Sequence, residues 1–232
     1  MGYDRGKQRA MGAGVVTLAV LVGCSQGGGF AAALKELQGE PYALDEVRRD
    51  TTPGAVCPEL ELVLHRGGAL PFQPPVRVAA PFVERLVRFE QIASEVALQS
   101  YGRTPRSVRH AGAYVCRPIR KQGQRWSEHA LGNAIDIVGF DFARAARVSS
   151  DAGASGAPEL PAVLRRPFEV RVVKHWQADA SDPSARLHQR FLHRLVEALR
   201  EQEIFRAMIG PPDPDHRTHL HLDMGPWRYE RL

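Results

Sequence analysis

Near the end of the chain the run Thr218 to Met224 alternates, with His219, His221 and Asp223 set against Leu220, Leu222 and Met224. Successive side chains of a strand point to opposite faces, so this run places two imidazoles and a carboxylate together while three apolar side chains turn toward a core. An earlier run, Ala134 to Phe140, is apolar on both faces except for Asp136. A buried carboxylate without a partner is costly or keeps its proton, so Asp136 needs a cation. His129 precedes it in the segment Ser127-Glu128-His129-Ala130-Leu131-Gly132-Asn133, and a turn through Leu131-Gly132 brings its ring back beside Asp136.

Imidazole nitrogen and a carboxylate oxygen are ordinary zinc ligands, and a catalytic zinc site keeps three protein ligands with the fourth place open to water. Two histidines and an aspartate meet that count. Such a site acidifies water and polarises a carbonyl, which hydrolyses a peptide bond without a covalent intermediate. The residues alone leave a second reading open, a polar core network joining Asp136 to a histidine. They also do not decide which histidine of the last run is a ligand. No nucleophile-elbow sequence is present, so a serine or cysteine nucleophile has no support. His188 and His193 fall on a charged helical stretch and are expected to face solvent; His65, His110 and His175 receive no role.

The elements that must position these residues follow from periodicity. From Ala80 to Tyr101 the apolar residues Val83, Leu86, Val87, Phe89, Ile92, Ala93, Val96 and Ala97 recur at three and four, the period of an amphipathic helix that Gly102 stops. Val108 to Cys116, Ala134 to Phe140, Phe168 to Trp176 and Thr218 to Met224 read as strands. Ser184 to Phe205 reads as a second helix with Ser184 as N-cap. Ser149 to Arg166 is rich in Ala, Gly, Ser and Pro and reads as an exposed insertion, and Gly210 to Asp215 as a stiff turn. Two long helices among dispersed strands predict an α+β domain, an antiparallel sheet covered by helices on one side.

The 232 residues, 44% of them hydrophobic, suffice for one sizeable core. A net charge of +5, carried by scattered arginines, does not point to nucleic acid and suits an anionic polymer or an anionic membrane face equally. Arg5, Lys7 and Arg9 precede an apolar run, Met11 to Val22, too short to span a bilayer, which reads as an export signal. Leu21-Val22-Gly23-Cys24 resembles the lipobox of bacterial lipoproteins, with Cys24 lipidated as the mature N-terminus and Ser25 matching outer-membrane sorting. The expected product is periplasmic and held to the outer membrane by its lipid. Residues 1–24 are then signal, 25–56 tether and lead-in, and 57–232 the folded domain. Removing Cys24 leaves Cys57 and Cys116 in a compartment where disulfides persist, so they are expected to pair.

Ser127-x-His129-x-x-Gly132-x-Ala134-x-Asp136 resembles the signature of D-Ala-D-Ala-type metallopeptidases, and His216-x-x-His219-x-His221 the closing motif of their murein endopeptidase branch. Tyr114 to Arg117, Ser127 to Phe140 and Ile209 to Asp223 resemble the bacterial extensin-like C-terminal domain family, from about Cys57 to Met224. The resemblance implies a hedgehog/D-Ala-D-Ala peptidase-like zinc fold with His129, Asp136 and His221 on Zn2+. It makes His219 the histidine that handles protons or stabilises an oxyanion, accompanied by His216, with Ser127 orienting loop or substrate and Arg117 meeting a substrate carboxylate. The implied substrate is the stem peptides of peptidoglycan, cut by carboxypeptidase or endopeptidase action. The alternative is a wall-binding lipoprotein that keeps the fold without turnover. Two departures from the family stand out, the length of the 149–166 insertion and Gln202 in place of a further cysteine.

Overall fold

The computed structural model describes residues 56–119, 125–145, 161–179 and 181–232. The proposed export signal, Cys24, the tether and most of the 149–166 insertion lie outside them.

The core is organised around one residue, Phe140, which stacks on Phe89 with ring centroids 6.3 Å apart and meets Phe191 edge-on at 5.2 Å. Phe89 belongs to α1 (Phe82–Tyr101) and Phe191 to α3 (Pro183–Glu201), so both long helices close over the same sheet face. Between them in the chain come β4 (Ser107–Gly112), β5 (Ala134–Phe142), β6 (Phe168–Arg171) and the single turn α2 (Val172–His175). Before α1 lie β1 (Leu62–His65), β2 (Phe72–Gln73) and β3 (Val76–Ala79); after α3 lie β7 (Ala207–Ile209), β8 (Leu220–Asp223) and β9 (Tyr229–Arg231).

The architecture is α+β, as expected, but the sheet is mixed rather than antiparallel. Its order is β2-β4-β5-β8-β7-β9, with β6 also on β5, while β1 and β3 form a separate antiparallel pair. The central pairings β4-β5, β5-β8 and β7-β8 are antiparallel, whereas β2 joins β4 and β9 joins β7 in parallel. Both parallel partners are two or three residues long and sit at the sheet's outer edges, too short to leave a periodic signal.

β5 explains why its sequence reads as apolar on both faces. Arg109 of β4 opposes Gly139, yet the next residue, His110, opposes Ile137, so Val138 is an extra residue on β5. Such a bulge reverses the phase of alternation. Ile135 and Ile137 before it and Phe140 and Phe142 after it all reach the same buried cluster, leaving Asp136 and Asp141 on the opposite face.

The helices fall close to their expected places, with instructive differences. α1 ends as Gly102 adopts φ +65° and returns its N–H to the Leu98 carbonyl. α3 begins earlier than Ser184: Asp182 is the N-cap, its carboxylate accepting from the Ser184 and Ala185 amides, and Pro183 fills the first helical position. It stops at Glu201, and Ile204 and Phe205 are buried beyond it. The expected strand Phe168 to Trp176 breaks after Arg171, because the Arg171 amide donates to His175 Nδ1 at 2.9 Å and Val172 and His175 turn inward together. The end of the insertion is structured as well, a 3-10 turn over Ala162–Arg165 that buries Leu164. Cys57 and Cys116 are bonded to each other across a separation of 59 residues.

Candidate metal centre

Ser127 opens a 3-10 turn over Glu128–Leu131, its Oγ accepting from the His129 amide at 3.3 Å. Gly132 closes the turn at φ +64°, and a Cβ there would stand 2.7 Å from the Ala79 amide nitrogen and from Leu62 Cδ2. Only glycine satisfies both the left-handed backbone and the missing space. The reversal sends the chain into β5 with His129 folded back over Asp136, which is the service the Ser-x-His-x-x-Gly spacing performs. From the other side β8 pairs with β5 so that Asp136 lies directly opposite His221 and Ala134 opposite Asp223.

Three atoms converge. Asp136 Oδ1 lies 3.2 Å from His129 Nε2 and 3.0 Å from His221 Nδ1, and the two imidazole nitrogens are 3.2 Å apart. A tetrahedral ion with bonds of about 2.0–2.1 Å separates its ligands by about 3.4 Å, so this triangle needs only a small expansion to hold one. The three residues form a cluster that could bind a metal ion.

Their outward-facing atoms are fixed as metal-bound histidines require. His129 Nδ1 donates to the Ala113 carbonyl at 2.7 Å, and His221 Nε2 to Asp223 Oδ2 at 2.8 Å. Asp223 is held in turn by the Gly225 amide at 2.7 Å. β4 must end at Gly112, short of the expected Cys116, for the Ala113 carbonyl to leave the ladder and reach His129. Burial alone would raise the Asp136 carboxyl and lower the His221 imidazolium; instead hydrogen bonds from His129 and His221 hold Asp136 far below the carboxylate range. Asp136 and Asp223 lift His221 to about 10.

A family model described as the C-terminus of extensin-like proteins matches residues 32–194. The chain belongs to the extensin-like family. No curated protein and no solved structure matches it. The extensin-like match begins inside the segment read as tether and stops within α3, short of the Met224 boundary drawn from sequence. It therefore contains His129 and Asp136 but not His221, whose place in the cluster rests on the register of β8.

The cluster opens on a cleft of about 340 Å³ that gathers every site residue singled out in the folded domain: Arg117, Ser127, His129, Asp136, His216, His219 and His221. His219 Nε2 stands 3.5 Å from Asp136 Oδ1, outside the ligand triangle, and Thr218 Oγ1 holds its Nδ1 at 3.1 Å. Its pKa is lowered, first by burial, against the pull of Asp136. His216 packs 5.1 Å from His219 ring to ring, and donates through Nδ1 to Asp213 at 2.7 Å. Arg117 is half-buried on the cleft wall.

Sequence reasoning placed Asp223 on the right face without giving it work; the His-x-Asp alternation was the available signal. Asp213 carried none, since only the Pro-rich turn brings it to His216. Elsewhere the expectations need correction. His188 is buried against Tyr101, whose hydroxyl lies 2.9 Å from its Nδ1, and is not solvent-facing. His193 is exposed, as read. His65 has a partner, Glu90, at 2.6 Å; His110 contacts the Pro74 carbonyl at 2.6 Å.

Proposed function

We propose that this extensin-like chain is a zinc-dependent peptidoglycan peptidase with a hedgehog/D-Ala-D-Ala peptidase-like centre, exported and lipid-anchored through Cys24. The observation that carries the reading is the triangle of His129, Asp136 and His221 lining a cleft: three side chains that could hold one ion, with both histidines braced from behind. A purely structural zinc is normally closed by four protein ligands, so an open three-ligand site favours catalysis. Zinc suits two nitrogens and one oxygen. Bound there, it would supply the Lewis acid that acidifies water and polarises the scissile carbonyl.

The protein's own residues account for the rest. His219, neutral and lowered in pKa by burial, is placed beside the ligands to take and return a proton or to donate to a developing oxyanion. Asp213 fixes the tautomer of His216, whose ring packs 5.1 Å from that of His219. Arg117 on the cleft wall supplies a planar cation for a substrate carboxylate, the group that a stem peptide bears at its end. Ser127 acts through the turn it caps.

Zinc-loaded protein incubated with purified sacculi should release peptide-trimmed or uncrosslinked muropeptides, whereas His221→Ala should not. Muropeptide profiles identical to buffer for both proteins would refute the enzyme and leave a wall-binding protein.

A further inference from the structure

A second cavity, larger than the cleft at the metal cluster, lies elsewhere among the described residues. It has a volume of about 570 Å³ and is lined by Arg106, Arg109, Arg144 and Arg171 with only Asp141 and Glu169 to balance them. Two of these arginines are locked. Arg171 donates to the Phe140 and Val170 carbonyls at 3.0 and 3.1 Å, and to Asp141 and Glu169 at 2.6 and 2.7 Å. Arg109 takes the other oxygen of Asp141 at 2.6 Å. Both oxygens of Asp141 are thus committed to organising the wall of the cavity. Arg106 and Arg144 are exposed and have no side-chain partner among the described residues.

The position of this cavity follows from the bulge in β5. Arg109, Gly139 and Arg171 oppose one another across three strands, and Ser107, Asp141 and Glu169 do so one step further along. Gly139 leaves the row open, since a Cβ there would stand 2.1 Å from the Val170 carbonyl. Because Phe140 and Phe142 point to the core, Asp141 shares its face with Asp136. Four residues of strand lie between the two aspartates, which stand about 15 Å apart along it. That is the reach of an extended peptide of about five residues.

We propose that Arg106, Arg109 and Arg144, with Arg171 bracing the wall behind them, form an anion-binding subsite that holds carboxylates of the wall polymer while the metal cluster acts on a bond of the same peptide network. The proposal rests on the peptidoglycan reading given above. Guanidinium is suited to it because its planar donors match a carboxylate, and Arg109 is already fixed in place through its Nε, which lowers the ordering cost of binding. An anionic lipid surface offers the same charge, but the shared face and the distance to the cluster favour the wall.

The test is pelleting of the zinc-loaded chain with purified sacculi, against Arg106→Ala/Arg144→Ala and Arg106→Lys/Arg144→Lys. Both positions are exposed, so neither pair disturbs the core. The alanine pair should bind sacculi about tenfold more weakly and with a shallower salt dependence, and the lysine pair should recover part of the loss. Sacculi whose carboxylates have been amidated should bind wild type and alanine pair equally. Wild-type affinity in the alanine pair overturns the subsite, as does a loss seen only on phosphatidylglycerol vesicles. Turnover on the same samples separates the two claims: an arginine-dependent loss of pelleting with no muropeptide released from any sample supports the subsite and removes only the peptidase.

Discussion

Asp136 anchors the centre because its Oδ1 stands within 3.2 Å of His129 Nε2 and 3.0 Å of His221 Nδ1, and each imidazole is held from behind by a different kind of acceptor. The Ala113 carbonyl serves His129 and the Asp223 carboxylate serves His221, which makes Asp223 the more informative to change. Asp223→Asn preserves shape but removes the charge that orients and strengthens His221 as a ligand. Metal affinity should fall about 10–100-fold, read by competition with a chromogenic chelator. Unchanged affinity would mean that Asp223 serves only the Gly225 turn.

At the scale of the element, the 3-10 turn at Glu128–Leu131 sets the site. Gly132→Ala forces a side chain into Ala79 and Leu62 at positive φ, and should cost about 1–3 kcal/mol in chemical denaturation while lowering metal stoichiometry. α3 carries a different liability. His188 is buried beside Tyr101 and His175, and desolvation lowers its pKa from 6.5 to about 4. The unfolded chain therefore binds a proton that the folded chain does not between those values. Stability from this group is complete above pH 6.5 and is lost as pH falls toward 4. Melting temperature should drop across that window, and His188→Leu should flatten the drop while losing the Tyr101 hydrogen bond. A slope unchanged in the variant would exclude His188 as its source.

For the whole molecule, the Cys57–Cys116 bridge ties the segment leading into β1 to the loop that follows Ala113, the acceptor of His129. Closing a loop of this size constrains the unfolded chain by roughly 4 kcal/mol. Reduction should therefore lower the melting temperature by many degrees, and Cys57→Ser should expose one free thiol at Cys116. A thiol titration that finds the wild-type pair reduced in oxidised protein would contradict the bridge. The basic end of the sheet is also a property of the whole, since its arginines come from the residue before β4, β4 itself, the residues after β5, and β6.

Much of this was legible in the chain itself. The period of α1, the alternation of β8, an aspartate isolated in an apolar strand and a glycine three residues after a histidine are local signals, because helix period, strand alternation and backbone handedness act over a few residues. They sufficed to name His129, Asp136 and a His-x-His pair. They could not rank His219 against His221, which lie on one face and differ only in what stands opposite. That was decided by the β5-β8 register, a pairing between residues 85 positions apart, which sets His221 against Asp136 and leaves His219 beyond the triangle. The bulge at Val138, the short parallel edge strands, the burial of His188 and the shared face of Asp136 and Asp141 belong to the same class. Each depends on which distant backbone supplies the hydrogen bonds, and no local pattern encodes that.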